Sequence, residues 1–236
     1  MRVLVIQHDH ISPPGAVGER FAERGFDLVL HPVVPAEHFL APNVTTEFPD
    51  PTGFDAIVPM GAPWSVYDEA SVGAWVNPEL RFLQRADREG VPVLGICFGG
   101  QLLAQAHGGA VKRSAAPEVG WSVIESDDDG LVPGGPWFEW HYDRWVLPPG
   151  AVEIARNSCA SQAFQLGRNL AVQFHPELDS SMLAGWLRTG GEREASELGV
   201  EPEHLLRETR LRDGANRERA GRLVDAFLDR VAVASA

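Results

Sequence analysis

One run constrains this chain more than any other: Val93-Leu94-Gly95-Ile96-Cys97-Phe98-Gly99-Gly100-Gln101-Leu102-Leu103-Ala104. An apolar segment of strand length passes through a cysteine and two glycines and resumes as an apolar helix. That is the pattern of a strand-to-helix elbow, a tight turn that lifts a nucleophile above the edge of a sheet. Glycines give the backbone room for the turn. The helix that follows aims its N-terminal N–H groups and its dipole at the sulfur and favours the thiolate. Farther along, Ala171-Val172-Gln173-Phe174-His175-Pro176-Glu177 is a second apolar strand ending in polar groups. A base and a carboxylate so close together complete a Cys97-His175-Glu177 constellation of nucleophile, base and orienting acid. Cys97 alone could be a core cysteine and His175 alone a structural histidine. Two motifs, each at a strand end, are hard to reconcile with coincidence.

The surrounding pattern says what carries the elbow. Strands are expected at Val3–Ile6, Phe26–Pro32, Phe54–Met60 and 91–96, with helices at 15–25, closed by Gly25, and at 78–89. The second helix is capped by Asn77, carries Pro78 at its first position and ends at Gly90. Residues 33–53 are proline-rich without periodicity and read as a loop. Strands alternating with helices predict an α/β fold, a parallel, doubly wound sheet. Between 110 and 174 the pattern changes to short segments (Gly120–Glu125, Trp137–Trp140, Val152–Asn157, Ala163–Leu166, Leu170–Phe174) that read as mixed or antiparallel strands. After Glu177 the chain is mostly helical, at 180–188, 202–211 and 216–233, with a link around 189–201. Leu198, Leu205, Leu206, Leu211, Leu223, Val224 and Phe227 supply an apolar side for this last part.

Composition excludes some functions. The 236 residues suit one large α/β domain, and the net charge of −13, with Lys112 the only lysine, disfavours non-specific nucleic-acid binding. The two cysteines, Cys97 and Cys159, are not expected to form a disulfide, which suits a reducing cytoplasm. The N-terminal apolar run is too short for a secretory signal, and no run approaches a membrane span.

Gly95-Ile96-Cys97-Phe98-Gly99-Gly100-Gln101, Gln173-Phe174-His175-Pro176-Glu177 and Pro59-Met60-Gly61-Ala62-Pro63 together resemble the class I (triad) glutamine amidotransferases. The resemblance covers roughly residues 1–188 and is nearest to stand-alone members similar to the glutaminase domain of GMP synthase. Glu118-Val119-Gly120-Trp121 and Trp140-His141-Tyr142-Asp143 match that group's middle region. It implies a flavodoxin-like open, mostly parallel sheet with helices on both faces, 1–188, followed by a helical C-terminal extension, 189–236, packed on the same domain. It also implies roles. The Cys97 thiolate attacks the γ-carbonyl of glutamine or of a γ-glutamyl group. Backbone N–H groups at Phe98 and at the Gly61–Ala62 turn hold the oxyanion. His175 moves the proton, Glu177 orients His175, and Gln101 binds the substrate's α-carboxylate or α-amino group. An amide satisfying the elbow backbone is the other reading of Gln101. Ala62 stands where relatives carry glycine, which holds it to ordinary φ values. No cofactor or metal is expected.

The activity implied is γ-amide hydrolysis, with ammonia passing to a separate synthetase subunit. The alternatives are a stand-alone γ-glutamyl hydrolase or peptidase, and a non-catalytic regulator. A chaperone or a cysteine protease of the same superfold is argued against by the two motifs. Gln7-His8-Asp9-His10 reads as a solvated loop, with acceptor or partner recognition the lesser reading. A metal site using His8, His10, His141 or Asp143 meets no ligand spacing. Trp140–Asp143 is expected near the active-site rim and Cys159 is expected to be structural.

Overall fold

In a computed structural model, residues 1–233 of the chain are described. Nine strands form a single sheet in the order β2-β1-β3-β4-β9-β8-β7-β5-β6. They are β1 (Arg2–Gln7), β2 (Asp27–Pro32), β3 (Ala56–Pro59), β4 (Val93–Ile96), β5 (Ala110–Ser126), β6 (Gly135–Val146), β7 (Val152–Arg156), β8 (Ser161–Leu166) and β9 (Asn169–Val172). The half from β2 to β9 is parallel and the rest antiparallel. This is the α/β arrangement that the sequence pattern predicts.

The parallel strands read as unbroken apolar runs because both faces are covered. Residue alternation in β1 divides the core in two. Val3 and Val5 face a cluster with Phe21 of α1 (Gly15–Glu23) and Leu223 of the last helix. Leu4 and Ile6 face the opposite cluster, with Trp75 of α2 (Glu69–Arg88) and Leu102 of α3 (Phe98–Ala106). Stacking helices on both faces leaves the carboxyl ends of β1, β3, β4 and β9 as the crevice where ligands gather in such sheets.

Three expectations are corrected. Asn77 does not cap α2. The helix starts at Glu69, and Asp68 caps it by accepting from the Ser71 N–H at 3.2 Å. Val72, Trp75 and Val76 continue the buried stripe of Glu79, Phe82 and Leu83 through Pro78, so packing carries the helix past a proline that costs one backbone hydrogen bond. The C-terminal part is not two helices but one, α6 (Pro202–Ala226), continued by a wider turn at Phe227–Val231, and the link before it includes α5 (Glu192–Glu197). Leu205, Leu223 and Phe227 of this part are buried, whereas Leu211 is 83% exposed and Leu198 is 38% exposed. The helical segment after Glu177 is α4 (Ser180–Trp186), and the chain kinks at Thr189 and Gly190, whose backbone is not helical.

Candidate active site

Cys97 is the only non-glycine residue with positive φ among the described residues, at φ 49° and ψ −107°. The elbow is therefore a held conformation that a bulky residue adopts at a cost, as at many functional sites. Its neighbours make it hold. The Cys97 N–H donates to the Val172 carbonyl at 2.8 Å, and the Gly99 N–H to the Met60 carbonyl at 3.0 Å. A Cβ at Gly99 would run into the Pro59 carbonyl, so only glycine lets α3 start this close to β3. Phe98 is the first residue of α3, and its N–H is one of the helix's unpaired N-terminal donors beside the sulfur.

β9 delivers His175. It lies parallel to β4, with Ile96 opposite Val172, so the strand ends bring Cys97 and the segment after β9 together. His175 Nδ1 is 2.8 Å from Glu177 Oε1. Burial acts to lower the His175 pKa, but the Glu177 carboxylate and the Cys97 thiol outweigh it and hold the pKa well above its ordinary value. Trp186 covers the ring edge to face, with ring centroids 5.0 Å apart. Three segments hold the loop. Phe138 accepts from the His175 N–H at 2.8 Å, the Ala16 N–H donates to the Glu177 carbonyl at 3.2 Å, and Asn216 Nδ2 of α6 donates to the Leu178 and Pro176 carbonyls at 2.9 and 3.3 Å.

Two amides sit beside the sulfur. Gln173 Nε2 is 3.6 Å from Cys97 Sγ. Gln101 Nε2 donates to Gln173 Oε1 at 3.3 Å and to the Asp143 carbonyl at 3.1 Å. The Gln101 amide nitrogen thus serves β6 and Gln173 rather than the elbow backbone, and Gln101 lines the cavity.

The Gly61–Ala62 turn presses against the same group. A Cβ on Gly61 would come within 3.0 Å of His175 Cε1, so a larger residue there would push on the imidazole. Its carbonyl faces His8 Nδ1 at 3.3 Å, and both oxygens of Glu79 lie 3.1 Å from His8 Nε2. Both partners are acceptors, so a ring donating on each side is an imidazolium. Burial lowers the His8 pKa, but Glu79 and the Gly61 carbonyl together raise it above its ordinary value. His8 and Asp9 are buried, which corrects the reading of Gln7–His10 as a solvated loop. Glu79, midway along α2, gave no sequence signal beyond a lone acidic residue on an apolar stripe.

A cavity of about 460 Å³ opens here, lined by Cys97, Phe98, His175, Gln101, Gly61 and Ala62, with Trp64, Trp140, Tyr142 and Trp186 at its rim. Trp140–Asp143 lies where the sequence places it. Asp143 ties β6 to the turn after β3 by accepting from Ser65 Oγ at 2.5 Å and Tyr67 OH at 2.8 Å. Cys159 is exposed and plays no structural part in a core, contrary to expectation.

Beneath the rim, Glu118, Glu139 and His141 are buried together. His141 Nε2 is 3.1 Å from Glu118 and 3.3 Å from Glu139. Burial pushes the Glu139 pKa up to about 7. Burial lowers that of His141, but the two carboxylates outweigh it and raise the value to about 10.

The chain is similar to known proteins over most of its length. The family model for class I glutamine amidotransferases matches residues 17–185. A glutamine-hydrolysing GMP synthase of Thermus thermophilus is 32% identical over 211 residues, which cover 82% of this chain and 38% of that protein. A glutamine-hydrolysing GMP synthase subunit of Sulfolobus acidocaldarius is 33% identical over 134 residues, 53% of this chain and 68% of that protein. The chain thus spans well under half the length of the Thermus enzyme. Among solved structures, a glutamine amidotransferase from Thermotoga maritima superposes with a TM-score of 0.83 at 22% identity, over 97% of this chain and 98% of that one. A glutamine amidotransferase from Methylobacillus flagellatus gives 0.82 at 25% identity, over 96% and 94%. No helix among the described residues is long and apolar enough to cross a membrane.

Proposed function

The chain belongs to the class I glutamine amidotransferases, and from that premise we propose that it hydrolyses the γ-amide of glutamine through a thioester on Cys97. The observation that carries this reading is that Cys97 and His175 line one cavity, with Glu177 buried behind the imidazole at 2.8 Å from its Nδ1. Residues 1–188 form the catalytic unit in this reading, and 189–236 its helical extension.

His175 takes the Cys97 thiol proton as sulfur attacks the γ-carbonyl, and the C–N bond breaks as His175 returns that proton to the departing ammonia. Water then attacks the thioester. His175 takes its proton and passes it to the leaving Cys97 sulfur, so glutamine and water become glutamate and ammonia. Glu177 keeps the imidazole in one tautomer and stabilises its cation. Amide N–H groups of Phe98 and of the Gly61–Ala62 turn hold the oxyanion, and Gln101, whose Nε2 is engaged by Asp143 and Gln173, accepts the substrate's α-amino group at Oε1. His8, braced by Glu79, holds the Gly61 carbonyl and with it the peptide plane that presents the Ala62 N–H.

A second reading, a γ-glutamyl hydrolase that works alone, is favoured by the cavity. A volume of about 460 Å³ lies in the range of sites for drug-sized ligands, about 300–1,000 Å³, so the aromatic rim has room for an amine larger than ammonia. The braced peptide supports activity without a partner as well. Delivery of ammonia to a separate synthetase rests on the names of the relatives. Turnover of the purified chain on glutamine and on γ-glutamyl dipeptides tests all of this. Glutamine turnover lost in Cys97→Ala supports the first reading. Turnover on dipeptides with almost none on glutamine promotes the second. Activity that appears on glutamine only with an added synthetase supports coupling. No turnover on any substrate under any of these conditions overturns the catalytic reading in favour of a regulatory protein.

A further inference from the structure

We propose that Glu118, Glu139 and His141 form a binding site for a divalent transition cation, with zinc the best fit to their donor set. The inference does not depend on which amide the enzyme cleaves. Strand geometry builds the trio. β5 has a register shift between Arg113 and Glu118, at the segment that holds Pro117, and after it Glu118 stands opposite His141 of β6. Glu139 is two residues before His141 on the same strand and shares its face. The three ligand atoms lie within 4.8 Å of one another, and all three residues are buried.

Three observations distinguish this from a hydrogen-bonded ion pair. First, His141 Nε2 has no hydrogen-bond partner, although two carboxylate oxygens lie 3.1 and 3.3 Å from it. At those distances it is the angles that keep the contacts from being hydrogen bonds. Second, both oxygens of the fully buried Glu139 carboxylate also lack a partner. A buried carboxylate without an aligned donor is costly, and a cation bound where these atoms converge would offset that cost. Third, the other atoms of the trio are already held as metal ligands usually are. His141 Nδ1 is 3.0 Å from the Asp143 carbonyl, which directs the Nε2 lone pair inward. Glu118 accepts from Asn157 Nδ2 at 2.6 Å and from Gln162 Nε2 at 3.0 Å. Tetrahedral zinc with nitrogen and oxygen ligands at about 2.0–2.2 Å sets those ligands about 3.3 Å apart. The separations of 3.1 and 3.3 Å match that spacing. One nitrogen and two hard oxygens suit zinc and exclude the soft-ligand metals. His141 also lines the catalytic cavity, which leaves a fourth position for water on that side.

The test begins with the full-length protein, stripped by a chelator and titrated with zinc chloride, with bound metal read by elemental analysis and by calorimetry. About one equivalent is expected to bind. Glu139→Gln and His141→Ala should weaken binding at least about 100-fold, while Cys97→Ala should bind as the wild type does. Cobalt chloride offers a reading that needs no variant to fold. The wild-type complex should show tetrahedral d–d bands without thiolate-to-cobalt charge transfer. Glu139→Asp, which keeps the charge but withdraws the oxygen, should lose those bands. Binding that survives Glu139→Gln, binding abolished by Cys97→Ala, a thiolate charge-transfer band, or sub-stoichiometric uptake would each overturn the proposal.

Discussion

The proposed nucleophile, Cys97, and its proposed base, His175, are built by different means. The elbow at Cys97 is local. β4 runs directly into α3 and the glycines of the turn are its own, while the flanking strand ends steady it through the Val172 and Met60 carbonyls. The His175–Glu177 loop is held from a distance. Its backbone groups go to Phe138, Ala16 and Asn216, which come from β6, α1 and α6. A locally built part announces itself in the sequence. A part held by three remote segments announces only its own residues. Asn216 shows the consequence: it lies in the extension beyond the family's matched region, 17–185, yet it grips the carbonyls on both sides of Glu177.

The largest test of the contrast is at the elbow. Cys97→Ala is expected to abolish turnover while leaving the circular-dichroism spectrum and the melting profile intact. A glutamine-like diazo-ketone should label buried Cys97 and spare exposed Cys159, as mass spectrometry would read. Adduct on Cys159 alone would break the assignment.

Next is the loop's own acid. Glu177→Gln should lower turnover by about 10² to 10⁴, the scale seen when the orienting carboxylate of a triad is neutralised. The sign of the accompanying titration is fixed. Glu177 raises the His175 pKa, so its removal must lower it toward the ordinary value of 6.5. A raised folded-state value means that the protonated ring contributes stability below pH 6.5 and loses it as pH rises through the folded value. The stability gap between wild type and Glu177→Gln should therefore narrow as pH rises through that range. Equal His175 midpoints in NMR titrations of the two proteins would sink the account.

The remote clamp comes third. Asn216→Ala leaves two loop carbonyls without their donor, for a loss of about 1–3 kcal/mol in stability. Turnover should fall about tenfold or more with KM little changed, since the loop shifts while the pocket stays. Wild-type turnover in Asn216→Ala would show that the loop holds itself and would erase the contrast with the elbow.

The smallest effect is expected on the outer side of the same extension. Asp225 receives Arg20 at 2.6 Å and Arg24 at 2.7 Å, tying α6 to α1 at the surface. Half-buried pairs at the surface are still screened by solvent and contribute modestly. Asp225→Asn should leave turnover unchanged and move Tm by no more than a few degrees. A loss of activity as large as that of Asn216→Ala would mean that α6 acts by its overall placement and not by its grip on the loop.

The sequence by itself determined the parts whose chemistry is written in neighbouring residues. The alternation of strand and helix, the elbow around Cys97, the His175-Pro176-Glu177 ending and the turn at Gly61–Ala62 can all be read there, because glycine spacing, apolar runs and paired polar groups each express a local backbone requirement. Only the tertiary structure decided the rest. Glu79 on an apolar helix stripe, Glu139 and Glu118 on separate strands, and Asn216 in a charged helix are each unremarkable until the fold removes water from around them. Burial then compels each polar group to find a partner. That partner is set by strand order and helix packing, which bring together residues far apart in the chain, and no local pattern carries that information. The same reason explains the misplaced start of α2 and the split of α6. Pro78 is a local start signal and Gly214 a local stop signal, and a buried stripe continued across them overrides both.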